Sequence, residues 1–170
     1  MIFVLDRIVM TLEEKKTDYL NKMYQVIGAA MEVYNELGYG LAEPIYQECL
    51  SIACAEKGIP WEREKPLKMF YRGQELNKKY IADFVCFGDL IVEIKAVSEL
   101  NNDHRAQLFN YLRITDAYAG ILINFGQPKK LISERYLYDF IKGSYEYVRN
   151  KNNMLDSWRK EQKSSKILHK

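Results

Sequence analysis

Apolar positions along this chain change their period several times, and each change predicts an element. Over residues 22–37, Tyr24, Ile27, Met31, Tyr34 and Leu37 recur at three- and four-residue steps, with Ala30 on the same side. That pattern predicts an amphipathic helix buried along this stripe. Gly38-Tyr39-Gly40 stops it. A second helix is expected over roughly residues 44–57, with Ile45, Cys49, Ile52 and Ala53 as its apolar positions. Pro44 suits a first helical turn, where an amide would lack a partner anyway. Short strands are expected at residues 61–65 and 67–71, on either side of Pro66, followed by a turn at Arg72-Gly73-Gln74. Residues 80–97 read as two β-branched apolar runs around Phe87-Gly88-Asp89, a hairpin pattern. Asn101-Asn102-Asp103 offers caps for a helix over residues 104–113. Residues 118–125, YAGILINF, form a continuous apolar run, as expected of a strand buried on both faces. Residues 131–138 suggest another strand, and a helix is expected from Tyr145 onward. The order predicts an α/β fold: a mixed central β-sheet flanked by helices.

Composition narrows this little. At 170 residues, with 48% hydrophobic and 28% charged, the chain suits one soluble domain with a substantial core. The expected organisation is an extension over residues 1–21, a domain over 22–142, and a basic C-terminal helix or tail over 143–170. Three cysteines without a Cys-x-x-Cys pair, and only two histidines, argue against a zinc site and fit a reducing cytoplasm. No run is long enough to span a membrane, and the apolar start is interrupted by Asp6 and Arg7. The net charge of +2 is uneven: residues 149–170 carry seven basic and two acidic side chains. That tail reads either as a solvated terminus or as a loose phosphate contact.

The chemistry concentrates in the hairpin. Asp83, Glu93 and Lys95 lie inside its apolar runs. A charge removed from water costs several kcal/mol or more unless it is paired or binds a metal. Two carboxylates and a lysine within strands therefore suggest a divalent-cation site. Glu93 and Lys95 are two apart and share a strand face. Asp83 and Glu93 are equidistant from Gly88. A loop with an odd number of residues keeps Asp83 on the face of Glu93 and Lys95, whereas a two-residue loop at Gly88-Asp89 would reverse it.

Three further patterns flank this set: Gly40-Leu41-Ala42-Glu43-Pro44-Ile45-Tyr46, which is G-x-x-E-x-x-Y; Gln107 with Tyr111, one turn apart on the third helix; and the run from Gly120 to Gly126. Together with Asp83 and Glu93-x-Lys95, they resemble the GxxExxY family, a branch of the PD-(D/E)XK nuclease superfamily. The resemblance implies a restriction-endonuclease-like core and metal-dependent hydrolysis of nucleic-acid phosphodiesters. It implies Asp83 and Glu93 as ligands of Mg²⁺ or Mn²⁺, with Glu43 as a third carboxylate acting directly or through water. Lys95 would orient or activate the attacking water, and Gln107 and Tyr111 would line the site. Nucleic acid is the implied partner, DNA before RNA. Relatives in the superfamily often pair to cut two strands, so a homodimer is compatible with the resemblance. Glu43 also has a plain reading as a helix N-terminal charge. Tyr46 is expected as a core aromatic and His104 as a capping or surface residue. A second functional reading keeps the fold but not the chemistry: a non-catalytic nucleic-acid-binding or accessory module.

Overall fold

The structure, a computed structural model, describes residues 10–148. A long helix, α1 (Leu12–Leu37), leads into α2 (Glu43–Glu56). Strands β1 (Trp61–Leu67), β2 (Phe70–Tyr71), β3 (Gln74–Glu75), β4 (Tyr80–Cys86) and β5 (Leu90–Lys95) follow. Helix α3 (Asn102–Thr115) crosses to β6 (Ala119–Asn124), and β7 (Ile132–Asp139) and β8 (Ser144–Tyr147) complete the order. The main sheet runs β1-β4-β5-β6-β7-β8, and β2 and β3 form a separate hairpin. All neighbours in the main sheet are antiparallel except β5 and β6, which are parallel and joined through α3. The fold is the expected α/β arrangement, a mixed sheet between helical layers.

Each face of the sheet has its own core. Met23, Val26 and Ala30 of α1 and Tyr46 and Leu50 of α2 pack with Phe84, Val92, Ile94 and Ile121. On the opposite face, Leu108 and Leu112 of α3 pack with Val85, Ile91 and Leu122. β6 is buried along its whole length, as a strand covered on both faces must be. Arg105 of α3 fixes this layer to β7: its Nε and Nη2 donate to Glu134 at 2.8 and 2.6 Å. Among the described residues no helix is long and apolar enough to cross a membrane.

Several elements depart from the sequence pattern. α1 starts at Leu12, not Lys22, because Thr11 and Glu14 form a reciprocal capping box. Its buried side is Tyr19, Met23, Val26, Ala29, Ala30 and Val33. The apolar stripe through Tyr24, Met31 and Leu37 is largely exposed, at 71%, 49% and 42%. The helix carries two apolar stripes, and the one with the small alanines packs against the sheet and α2. Similarly, α2 buries Tyr46, Leu50, Ala53 and Cys54 and leaves Ile45 and Ile52 exposed. Pro66 does not divide β1, because β1 is an edge strand whose outer amides need no partner. Residues 144–147, expected to begin a helix, form edge strand β8, which pairs Tyr145 with Tyr138 and Tyr147 with Tyr136. The rest of that expected helix lies outside the described residues.

The parallel pair is tied at its carboxyl end. Asn124 is fully buried beside Lys95 in register. Its Oδ1 accepts from the amides of Val97 and Gly126, both at 3.0 Å, and its Nδ2 donates to Val97 O at 2.8 Å. At Gly126 an added Cβ would lie 2.3 Å from Val97 O, so only glycine fits there. Asn124→Ala would leave two amides and a carbonyl without their partner, each loss costing ~1–3 kcal/mol. Thermal or urea unfolding should show the variant less stable by ~2–4 kcal/mol. A loss within experimental error would mean that the tie is dispensable.

Candidate active site

The β4–β5 turn contains three residues, Phe87, Gly88 and Asp89, with Phe87 and Gly88 at positive φ. Phe84 pairs with Val92, Val85 with Ile91 and Cys86 with Leu90, the register that an odd loop centred on Gly88 requires. The ladder stops there, and the next pair in register would be Asp83 with Glu93. Instead, the Ile94 amide donates to the Asp83 side chain, at 2.7 Å from Oδ2. Opposite Asp83 on the other side, Glu64 of β1 sits at φ 50° and the β1–β4 ladder skips that position. Ala82 packs on the α3 side although Phe84, two residues on, packs on the α1–α2 side. The strand therefore turns locally at Asp83, and β4 and β5 part around its carboxylate.

Asp83 is held from both directions. Gln47 of α2 donates to its Oδ1 at 2.9 Å, and the Ile94 amide holds Oδ2. Glu93 is 1% exposed. Its Oε1 accepts from Lys95 Nζ at 3.3 Å and from Gln107 Nε2 at 3.0 Å. Gln107 also donates to the Tyr111 hydroxyl at 2.9 Å, so α3 positions the Glu93 carboxyl through one amide. Glu93 Oε2 is buried and has no hydrogen-bond partner. Burial, and then the nearby charge of Asp83, push Glu93 up to about 9, against the pull of Lys95. Lys95 is itself buried, at 9% exposure.

Glu43 opens α2 and is half-buried. Burial raises its carboxyl above the ordinary range. Lys95 opposes the rise, Asp83 adds to it, and a hydrogen bond from the Ala96 amide opposes it. Glu43 thus senses both site charges while resting on the backbone just past Lys95. The G-x-x-E-x-x-Y pattern has a physical basis in this neighbourhood. The Tyr46 hydroxyl donates to Gly38 O at 2.8 Å and accepts from the Leu41 amide at 3.3 Å. Its ring is fully buried and stacks on Phe125 at 4.5 Å. Tyr46 is the expected core aromatic, and it also clamps the loop that delivers Glu43. His104 caps α3, its Nδ1 accepting from the Asn101 amide at 3.1 Å.

All six candidate residues therefore belong to one neighbourhood, linked by contact or charge: Asp83, Glu93 and Lys95 at its centre, Gln107 and Tyr111 behind Glu93, and Glu43 at the edge. Among the described residues no three His, Cys, Asp or Glu side chains form a ready metal cluster. Asp83 and Glu93 are the central carboxyls, and Glu43 stands at the edge of that pair. The fit to a dication rests on the unpartnered Glu93 Oε2 beside a second carboxylate. One lysine leaves that pair under-neutralised, and a hard divalent ion with oxygen ligands would complete it. Gln47 was not anticipated from sequence, although it lies one helical turn after Glu43 on the same side of α2. A cleft of about 690 Å³ opens at the far end of the sheet, lined by Lys15, Phe109, Arg113, Tyr118 and Phe140 among others, and contains none of these residues.

The raised Glu93 has a consequence for the metal-free protein. Its folded-state value lies above the ordinary 4.5, so between pH 4.5 and about 9 the folded chain keeps a proton that the unfolded chain has lost. The stability contributed is fully present below 4.5 and is lost as pH rises toward 9. Glu93→Gln cannot ionise, so in chelator at pH 8 it should be more stable than the parent by ~1–3 kcal/mol, with the gap closing toward pH 5. Melting temperatures of the two proteins across this range measure the gap, and parallel profiles would contradict the assigned burial.

No curated protein matches the chain. A solved structure described as "Crystal structure of SSO0001" is 19% identical, with a TM-score of 0.41, over 71% of this chain and 58% of that one. The chain thus spans little more than half the length of that protein. Residues 21–136, well over half of the sequence and including all six candidate residues, match the PD-(D/E)XK nuclease superfamily. The chain belongs to that superfamily.

Proposed function

We propose that this protein is a metal-dependent nuclease of the GxxExxY branch, hydrolysing phosphodiester bonds at Asp83, Glu93 and Lys95. The superfamily implies nuclease activity, a nucleic-acid substrate and a divalent metal such as Mg²⁺. The observation that carries the reading for this chain is the buried, unpartnered Glu93 Oε2 beside Asp83, with Lys95 on the same strand face.

Asp83 and Glu93 would hold Mg²⁺ or Mn²⁺. Such an ion, when bound, polarises a phosphoryl oxygen and lowers the pKa of a bound water. The protein's own groups supply the rest. Gln47 and the Ile94 amide fix the Asp83 carboxylate so that it does not rotate away. Gln107, backed by Tyr111, fixes Glu93 Oε1 and leaves Oε2 free for the ion. Lys95 offers an ammonium within the same few ångströms, placed to hold the attacking water or to stabilise charge as it develops on the phosphorus oxygens. Water attacks phosphorus, the bond to the leaving oxygen breaks, and that oxygen takes up a proton. Glu43, at the edge, would reach the ion through water.

Two variants test this on single- and double-stranded DNA and RNA with Mg²⁺ or Mn²⁺. Lys95→Ala should lower kcat by about 10²–10³-fold with the fold intact. Asp83→Asn should abolish cleavage and weaken Mn²⁺ binding measured by calorimetry. Metal-dependent cleavage that Lys95→Ala leaves unchanged would refute the assignment. A protein that binds Mn²⁺ and nucleic acid but turns over none of these substrates would be the accessory module instead.

A further inference from the structure

The β2–β3 hairpin contributes nothing to either core: no residue from 68 to 79 belongs to the buried clusters of the sheet faces. It nevertheless displays two large aromatic rings, Phe70 at 60% and Tyr71 at 62% exposure. Consecutive strand residues point to opposite faces, so the two rings give each side of the hairpin an exposed aromatic surface available for stacking. The hairpin turns at Arg72-Gly73, both at positive φ, the tight turn that suits a two-residue connection. Arg72 lies over the Tyr71 ring, 5.3 Å from its centroid. Residues 68–80 carry four basic side chains, Lys68, Arg72, Lys78 and Lys79, against one acid, Glu75. Glu75 is paired with Lys68 and Lys79, so among the described residues Arg72 and Lys78 have no acidic partner.

Position gives this surface its meaning. The hairpin springs from the last pair of the β1–β4 ladder, Leu67 with Tyr80. That is the start of β4, which the antiparallel pairing places toward the carboxyl end of β5 that carries Glu93 and Lys95. Tyr80 makes the physical link: its ring meets that of Tyr111 at 5.6 Å, and Tyr111 bonds Gln107, which bonds Glu93. The base of the hairpin is thus linked through Tyr80 to the candidate catalytic carboxylates. Rings on an exposed arm stack on bases only where those bases are unpaired, and adjacent cations follow the phosphates.

We propose that the β2–β3 hairpin is a stacking arm for unpaired nucleotides, which directs this site to single-stranded nucleic acid in preference to continuous duplex. The proposal rests on the nuclease reading above. Its test measures binding separately from cleavage. The full chain with Lys95→Ala, in Mg²⁺, is titrated against a fluorescently labelled DNA single strand and against the same sequence as a blunt duplex. Phe70→Ala/Tyr71→Ala should weaken single-strand binding by at least about tenfold and leave duplex binding within about twofold. Because both rings are exposed, the melting temperature should not move, which separates lost stacking from lost folding. Arg72→Gln/Lys78→Gln should reduce the slope of log affinity against log salt by about one to two.

If the parent binds the single strand and the aromatic variant binds it equally well, the arm is refuted while the nuclease site stands. Equal weakening on strand and duplex would also refute it, since stacking on unpaired bases would then not be the source. A parent that neither cleaves nor binds any nucleic acid would overturn the arm and the nuclease reading together.

Discussion

A glutamate carboxyl buried against an aspartate cannot be accommodated by packing alone. Glu93 lies almost wholly out of water, feels the charge of Asp83 and receives only part of the neutralisation it needs from Lys95 and Gln107. In an ordinary core such a group would be a standing cost, because a desolvated charge is repaid only by close partners. Here the surroundings hold the problem in place. Both helical layers contribute: α2 reaches Asp83 with Gln47, and α3 reaches Glu93 with Gln107. The parted strands keep the two acids adjacent. The site is therefore an under-neutralised pair of carboxyls fixed by rigid elements, which is the condition for holding a hard cation.

The sheet topology explains why this happens where it does. β5 and β6 are the one parallel pair of the main sheet, and open sheets present their ligands at the carboxyl ends of such strands. Lys95 ends β5, Asn124 ends β6, and Asn124 locks the loops that follow. The Tyr46 clamp fixes the loop entering α2 on the same side, so Glu43 arrives beside Ala96. Three separate segments thus converge at one end of the sheet. The clustered aromatic and basic surface of the β2–β3 hairpin emerges from that end too.

Much of this was legible before any coordinates. The metal-site reading of Asp83 and Glu93 required an odd turn, and a three-residue turn is what forms. The Asn101 cap and the continuous apolar run of β6 were readable because local chemistry determines both. The failures have physical causes. α1 and α2 each carry more than one apolar stripe, and periodicity cannot say which one tertiary packing will choose. Tyr24, Met31, Ile45 and Ile52 lost to smaller or better-shaped neighbours. The Thr11 capping box lies well before Tyr24, where the apolar stripe of α1 begins, so periodicity places the helix start too late. The polar–tyrosine alternation of β8, Ser144-Tyr145-Glu146-Tyr147, is too short to outweigh other readings, and its pairing at the sheet edge rests on tertiary contact. The opening of the sheet at Asp83, and Gln47 beside it, depend on where a side chain replaces a backbone partner, and no sequence period records that.

The central claim is that Asp83 and Glu93 share one divalent ion. The most direct measurement is a crystal structure of the full chain soaked in Mn²⁺, read by anomalous scattering. The account predicts one peak about 2.1 Å from an oxygen of each carboxylate, with Glu93 Oε2 as a ligand. A peak elsewhere, or a site in which Glu93 keeps only Lys95 and Gln107 at saturating Mn²⁺, would contradict it.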